Sequence, residues 1–415
     1  LSPLSAVVQA QSGYKALVCI FLFGGNDSNN LVVPIDSRYD AYRTMRGPVA
    51  LAADTLLAAG NSGFGFHPAL ANIQRLYNAQ VAAPVFNVGT LFAPVTKGTL
   101  NSVPLPRNLY SHSDQTQQWQ TSDPNGGSTG WGGRLNDHVL LHNTGSLPPG
   151  ITVNGGNALF LSGVTTKGVN FSNPDSFGLT TFGGDTAMMA RLTSLQKVLT
   201  FDSGLQLVSA ANGVLADSIR SGQEIDAALA GAPPLPVVFP NSSLGQQLAQ
   251  VAQVIAVQGS LGMNRQIFFA GMGGFDNHEH LLNKHQDLMA TLDAAIGAFY
   301  TTLEQRGSAG SVTTFTESEF NRTGDANANI GTDHAWGSHH LVIGGAVHGG
   351  QTYGTFPTHE LGGPDDAADR GDWIPTTSLD QYAATLGGWF GVSDAELRAV
   401  FPNMDNFVPP RLGFV

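Results

Sequence analysis

Ala16-Leu17-Val18-Cys19-Ile20-Phe21-Leu22-Phe23-Gly24-Gly25-Asn26-Asp27 is the stretch on which the reading of the fold turns. Its first eight residues are apolar without alternation, as expected of a strand covered on both faces in a sheet flanked by helices. Two glycines break the run, and an acid follows. Ligands of open α/β sheets bind beyond the carboxyl ends of such strands, so Asp27 stands where a site residue would stand. On local grounds alone, an Asp closing a turn after two glycines reads equally well.

The same grammar recurs. Residues 265–275 are an apolar run with glycines, and Asp276, His278 and His280 come directly after it. Residues 311–316 read as a further strand, with Glu317, Glu319 and Arg322 at its carboxyl end. Between Gly331 and Gly345, Asp333, His334, His339 and His340 fall within eight residues, in a chain with only 12 His among 415 residues. His and Asp are the side chains that bind divalent cations and move protons near neutrality. Incidental histidines on a polar surface loop are the bland alternative. A single acid-rich loop would mean little; three at equivalent strand ends indicate one crevice in a doubly wound sheet.

Between these ends the periodicity is helical. Leu70, Ile73, Leu76 and Tyr77 share a face, with Pro68 placed to start a helix. Residues 83–89 read as a second core strand, and Ser111-His112-Ser113-Asp114 opens a helix with Ser and Asp available as caps. Helices are expected over about 187–230 and 243–258, their stripes packed on the sheet, and over 285–305 and 381–390. Residues 230–240, with Pro233, Pro234, Pro236 and Pro240, form a rigid connection. Residues 125–185, rich in Gly, Asn, Ser and Thr, read as a loop-rich insertion or small cap on the active face. Residues 1–415 are otherwise taken as a single α/β domain.

Composition narrows the function. Hydrophobic residues are 42% of the chain and charged residues 12%, with 51 Gly; this is neither a disordered nor a membrane composition. The net charge of −12 and the lack of any basic stretch set nucleic acid aside. No apolar run approaches the roughly 20 residues needed to span a bilayer. The single Cys19 rules out an internal disulfide and a Cys-based zinc cluster, and reads as a buried structural thiol. The start, with small residues and no Met, resembles the tail of an export signal.

Together these segments resemble the bacterial family designated domain of unknown function 1501, within the alkaline phosphatase and sulfatase superfamily. The matching residues are Val18 to Pro34 with Gly24-Gly25-Asn26-Asp27, His67-Pro68-Ala69-Leu70, Ser111-His112, Phe275-Asp276-Asn277-His278, Thr316 to Thr323, Gly331-Thr332-Asp333-His334, Pro375-Thr376-Thr377-Ser378 with Asp380-Gln381-Tyr382, and Leu412-Gly413-Phe414. The resemblance implies an alkaline-phosphatase-like three-layer α/β sandwich, with a mostly parallel central sheet, helices on both faces, and metals at the carboxyl edge. It implies that Asp27 bridges to the metals, that Ser111 is the nucleophile, that Asp276 with His278 or His280 binds one metal, and that His339 or His340 finishes the site. It also implies export by the twin-arginine route to the periplasm, cell surface or medium. Where the better-known enzymes carry an Asp-His pair, this chain has Glu319-Phe320. A phenyl ring cannot ligate metal, so a second site is either lost or rebuilt from Asp333 and His334.

The leading expectation is an exported hydrolase of phosphate or sulfate esters, of a small molecule or a polysaccharide. It would depend on zinc, magnesium, manganese or calcium. The cation would lower the pKa of Ser111 or of a bound water, Arg322 would neutralise the developing oxyanion, and His112 or His339 would protonate the leaving group. Glu319 joins Ser111, His112 and Arg322 as a candidate catalytic residue. The alternatives are a secreted binding or structural protein with a degenerate metal site, and a carbohydrate lyase or esterase on the same fold.

Overall fold

The computed structural model describes residues 13–156, 158–171, 177, 185–201 and 204–415. In chain order the amino-terminal elements are β1 (Lys15–Leu22), β2 (Val32–Pro34), α1 (Tyr39–Arg46), β3 (Leu57–Ala58), β4 (Phe64–Phe66), α2 (Ala71–Asn78) and β5 (Ala82–Gly89). Next come α3 (His112–Thr121), α4 (Trp131–Val139), β6 (Gly150–Thr152), β7 (Val169–Asn170), α5 (Thr186–Leu199), α6 (Gln206–Leu229) and α7 (Ser243–Ala256). The chain continues through β8 (Arg265–Met272), α8 (Leu281–Gln305), β9 (Val312–Glu317), β10 (Ser338–Ile343), β11 (Thr377–Ser378), α9 (Leu379–Phe390) and α10 (Asp394–Val400).

Eight strands form the main sheet in the order β11-β5-β10-β9-β1-β8-β6-β7, and β2, β4 and β3 form a small second sheet. β1 lies centrally, parallel to β8 and β9. Its residues alternate between two cores, although every one of them is apolar apart from Lys15. Ala16, Val18, Ile20 and Leu22 meet Ile73 of α2, Leu248 of α7 and Leu292 of α8 on one face. Leu17, Cys19 and Phe21 meet Leu135 of α4, Tyr382 of α9 and Leu397 of α10 on the other. Burying each such side chain is worth on the order of 1.5–3 kcal/mol. The double covering is therefore what holds the sheet, and it explains why the run shows no polar alternation. Cys19 is buried within it.

β10 is the exception to the parallel arrangement, running antiparallel to both β5 and β9. Its amino end, where Ser338 pairs with Val88, therefore lies at the same edge as the carboxyl ends of β1, β5, β8 and β9. The segment before β10 enters the sheet where those strands leave it. This reversal carries Asp333 and His334 to the edge that also receives Asp27, Asp276 and Glu319.

Two helical expectations are altered. α5 has no buried residue, and in α6 only Ile219, Ser221, Gly222 and Ile225 are buried. Met189, Val198, Leu207 and Val214 face outward rather than packing on the sheet, and only the carboxyl end of α6, through Ile225, Ala228 and Leu229, reaches the core. Within 125–185, α4 is a helix packed under the sheet, and β6 and β7 extend the sheet beyond β8. Residues 172–176 and 178–184 of that stretch lie outside the described residues. No helix among the described residues is long and apolar enough to cross a membrane.

Candidate metal centre

The edge is assembled by close stacking of loops. Gly24 has φ 113°, and a Cβ there would lie 2.5 Å from the Asp276 nitrogen. At Gly25, φ 75°, it would lie 2.3 Å from the Phe320 ring. Only glycine adopts these backbone conformations without strain while leaving room for a neighbouring loop. The turn after β1 is thus pressed against the segments following β8 and β9.

Three imidazoles converge on Asp276. His112 is the first residue of α3; its Nδ1 is 2.9 Å from Glu319 Oε1 and its Nε2 3.6 Å from Asp276 Oδ1. His334 has Nδ1 2.8 Å from the Tyr110 carbonyl oxygen and Nε2 3.6 Å from Asp276 Oδ1. His278 has Nδ1 3.0 Å from Asp333 Oδ1, and its Nε2 is 2.9 Å from Asp276 Oδ1 and 3.2 Å from His334 Nε2. A carbonyl or carboxylate oxygen can only accept. Each Nδ1 therefore carries the proton, and in the neutral ring the Nε2 lone pair faces the carboxylate. Anchoring the far ring nitrogen in this way is the usual support of a metal-ligating histidine.

His112, Asp276 and His334 each offer a ligand atom, and these atoms lie within 4.8 Å of one another. Two imidazoles and a carboxylate suit a divalent cation of the zinc type. The side chains are 38%, 49% and 24% exposed, so the centre is open to solvent. The Glu319 hydrogen bond, working against burial, raises the His112 pKa. Burial pushes the Asp276 carboxyl upward, but the Arg322 hydrogen bond and the charges of Arg322, His278 and His112 outweigh it, and the net shift is downward. Burial lowers His334. At Asp333, burial is overcome by hydrogen bonds from Arg370, Asn327 and His278, which bring the carboxyl down to about 2.

The family model described as "Protein of unknown function (DUF1501)" matches residues 14–371. The chain belongs to the DUF1501 family. No curated protein matches it. Among solved structures it is similar to Ps i-CgsB in complex with k-i-k-neocarrahexaose, at 11% identity over 92% of this chain and 73% of that one, with a TM-score of 0.36. It is also similar to a sulfatase from Pseudoalteromonas sp., at 9% identity over 94% and 70% of the two chains and a TM-score of 0.38. An alkaline phosphatase mutant, PafA, is 10% identical over 75% of this chain and 64% of that one, with a TM-score of 0.25. These likenesses are distant.

The other expected site residues of this DUF1501 chain lie around the centre or apart from it. Asp27 is 1% exposed and sits beneath the group, its Oδ2 held by Arg46 Nη2 at 2.7 Å and by the Thr332 hydroxyl at 3.1 Å. Arg46 is itself fully buried. Arg322, expected to meet substrate, is also fully buried. It donates Nε to Gly25 O at 2.9 Å, Nη1 to His278 Nε2 at 3.3 Å and Thr332 O at 3.2 Å, and Nη2 to Gly24 O and Asp276 Oδ1. All five of its donors are used inside the protein. It locks the loops together and leaves no hydrogen for an oxyanion.

Ser111 is the N-cap of α3, and its hydroxyl donates to Asp114 Oδ2 at 2.6 Å. Phe320 packs between His112 and His334, with ring centroids 4.8 and 4.6 Å away. His280 is the N-cap residue of α8 with φ 52° and makes no side-chain cap bond. His339 and His340 lie on β10, one turned to Phe86 and Phe356, the other to Trp119 and Tyr382. Burial brings both down to about 3, and neither ring joins the group at Asp276, contrary to the expectation that one of them finishes the metal site.

Sequence reading passed over Arg46, Tyr110, Arg370 and Asp372. Of these, only Tyr110 carried a signal, since it directly precedes Ser111-His112.

Proposed function

We propose that this protein is a metal-dependent hydrolase of phosphate or sulfate esters, its cation held by His112, Asp276 and His334. The observation that carries the reading is the convergence of two Nε2 lone pairs on one carboxylate at the open sheet edge, with each ring anchored through Nδ1. The ester class rests on the family resemblance of the strand-end motifs. A bound divalent cation lowers the pKa of a coordinated water and polarises an ester oxygen.

The chain's own residues supply the remainder. Glu319 and the Tyr110 carbonyl fix the tautomers of His112 and His334. Arg322 holds Asp276 in place. His278, 43% exposed, is held through Nδ1 by Asp333 and through Nε2 by Arg322 Nη1, and so ties Arg322 to the Asp333 segment beside the ligands. Because the Ser111 hydroxyl is committed to Asp114, the attacking oxygen is assigned to water. One cation is expected rather than two, because Arg46 already neutralises Asp27. The family resemblance also supports export to the periplasm, cell surface or medium by the twin-arginine route, which fractionation of the producing cells tests.

The deciding experiment counts metal per purified chain and assays aryl phosphates, aryl sulfates and sulfated polysaccharides, before and after chelation. One cation per chain and chelator-sensitive turnover support the reading. Stoichiometric metal with no turnover on any ester refutes the hydrolase. It would favour the second reading, a binding or structural protein, for which the buried Arg322 and the phenyl ring of Phe320 beside the ligands already speak. Breakdown of a polysaccharide without ester hydrolysis would instead indicate a lyase on the same acids and histidines.

A further inference from the structure

We infer that Tyr110 and Asp372 are positioning residues for both imidazoles of the centre, and that Arg370 positions His278 through Asp333. The inference rests on the reading of His112, Asp276 and His334 as a metal centre. Tyr110 has φ 72°, a left-handed conformation uncommon for a residue with a side chain. Such a residue persists when its surroundings over-determine it, and here three groups do. Its N–H donates to Gln115 Oε1 at 2.5 Å, its hydroxyl donates to Asp372 Oδ2, and its carbonyl accepts from His334 Nδ1 at 2.8 Å. Tyr110 is also two residues before His112. One residue thus sets where the first ligand leaves the loop and which tautomer the second ligand holds.

Asp372 is 3% exposed, and its Oδ2 accepts the Tyr110 hydroxyl. Its backbone N–H donates to Asp366 Oδ1 at 2.9 Å, and Asp366 also accepts from the Gly362, Ala368 and Gly371 nitrogens. Asp366 therefore stiffens the whole turn that carries Arg370 and Asp372. From that turn, Arg370 Nη1 reaches Asp333 Oδ2 at 2.8 Å, and Asp333 holds His278 Nδ1. The loop after Asp365 thus braces His334 through Tyr110 and His278 through Asp333.

The test compares wild type with Tyr110→Phe, Asp372→Asn and Arg370→Ala. It reads the dissociation constant for zinc, the tautomers of His334 and His278 by nitrogen-15 NMR, and the melting temperature. In a folded Tyr110→Phe, zinc affinity is expected to fall about 10–100-fold, as for other outer partners of metal ligands. His334 should lose its single Nδ1–H tautomer. Asp372→Asn keeps an acceptor for the phenol and should retain more affinity than Tyr110→Phe. Arg370 is 40% exposed, so Arg370→Ala should fold and release the His278 tautomer even if Tyr110→Phe does not fold. Unchanged tautomers in the folded variants overturn the inference. If wild type binds no zinc, the metal reading fails by itself, and the tautomers still decide the positioning roles.

Discussion

Glu319 Oε1 lies 2.9 Å from His112 Nδ1 and 2.8 Å from the Gly24 nitrogen, so one buried carboxylate ties the start of α3 to the turn after β1. The pair gives a pH signature. The His112 pKa is raised in the folded protein, first by this hydrogen bond. Its stabilising contribution is complete below the unfolded value near 6.5 and is lost as pH rises through the raised folded value. In metal-free protein, Glu319→Gln should flatten the fall in melting temperature as pH rises from the unfolded value near 6.5 through the raised folded value. An unchanged profile would show that the ion pair does not form in solution.

Removing a ligand should remove the cation. His334→Ala and Asp276→Asn are each expected to lower bound metal from one per chain to a small fraction, by elemental analysis after dialysis. His340→Ala should leave the metal bound, because its ring faces Trp119 and Tyr382. Metal loss in His340→Ala alone would relocate the centre.

Ser111→Ala separates a cap from a nucleophile. As an N-cap whose hydroxyl is spent on Asp114, Ser111 should cost about 1 kcal/mol of stability when truncated, read by urea unfolding. Ester turnover in this variant should remain near wild type. Complete loss of turnover with metal retained would make Ser111 the attacking group.

Arg46→Met tests the charge beneath the site. It would leave Asp27 buried and unpaired, a change that typically costs about 3–5 kcal/mol. The double variant Arg46→Met with Asp27→Leu should recover most of that loss in urea unfolding. If the single variant is as stable as wild type, Asp27 has found another partner, and a second cation becomes the obvious one to look for.

Much of this architecture could be read from residues alone. The apolar run before Gly24, the glycines after it, and the recurrence of that grammar before Asp276 and Glu319 located three walls of the crevice. Tertiary partners could not be read in the same way. Arg46 acts on Asp27 and Asp372 acts on Tyr110 through contacts that no local pattern encodes. His339 and His340 misled for a related reason: in a strand covered on both faces, a buried histidine and a ligand have the same neighbours in sequence. The stripe over 187–230 showed that helical periodicity reveals an apolar face but not what covers it.

The reversal of β10 also bears on how the protein is made. His334 reaches the sheet edge through the segment that leads into β10, a strand running antiparallel between β9 and β5. His112 and His334 are separated by more than half the chain, and such long-range pairings form late because their loop-closure entropy must be met first. Placement of β10 is therefore expected to bring His334 to His112 and Asp276 late in folding, and a cation binding there would mark the molecules whose sheet has closed.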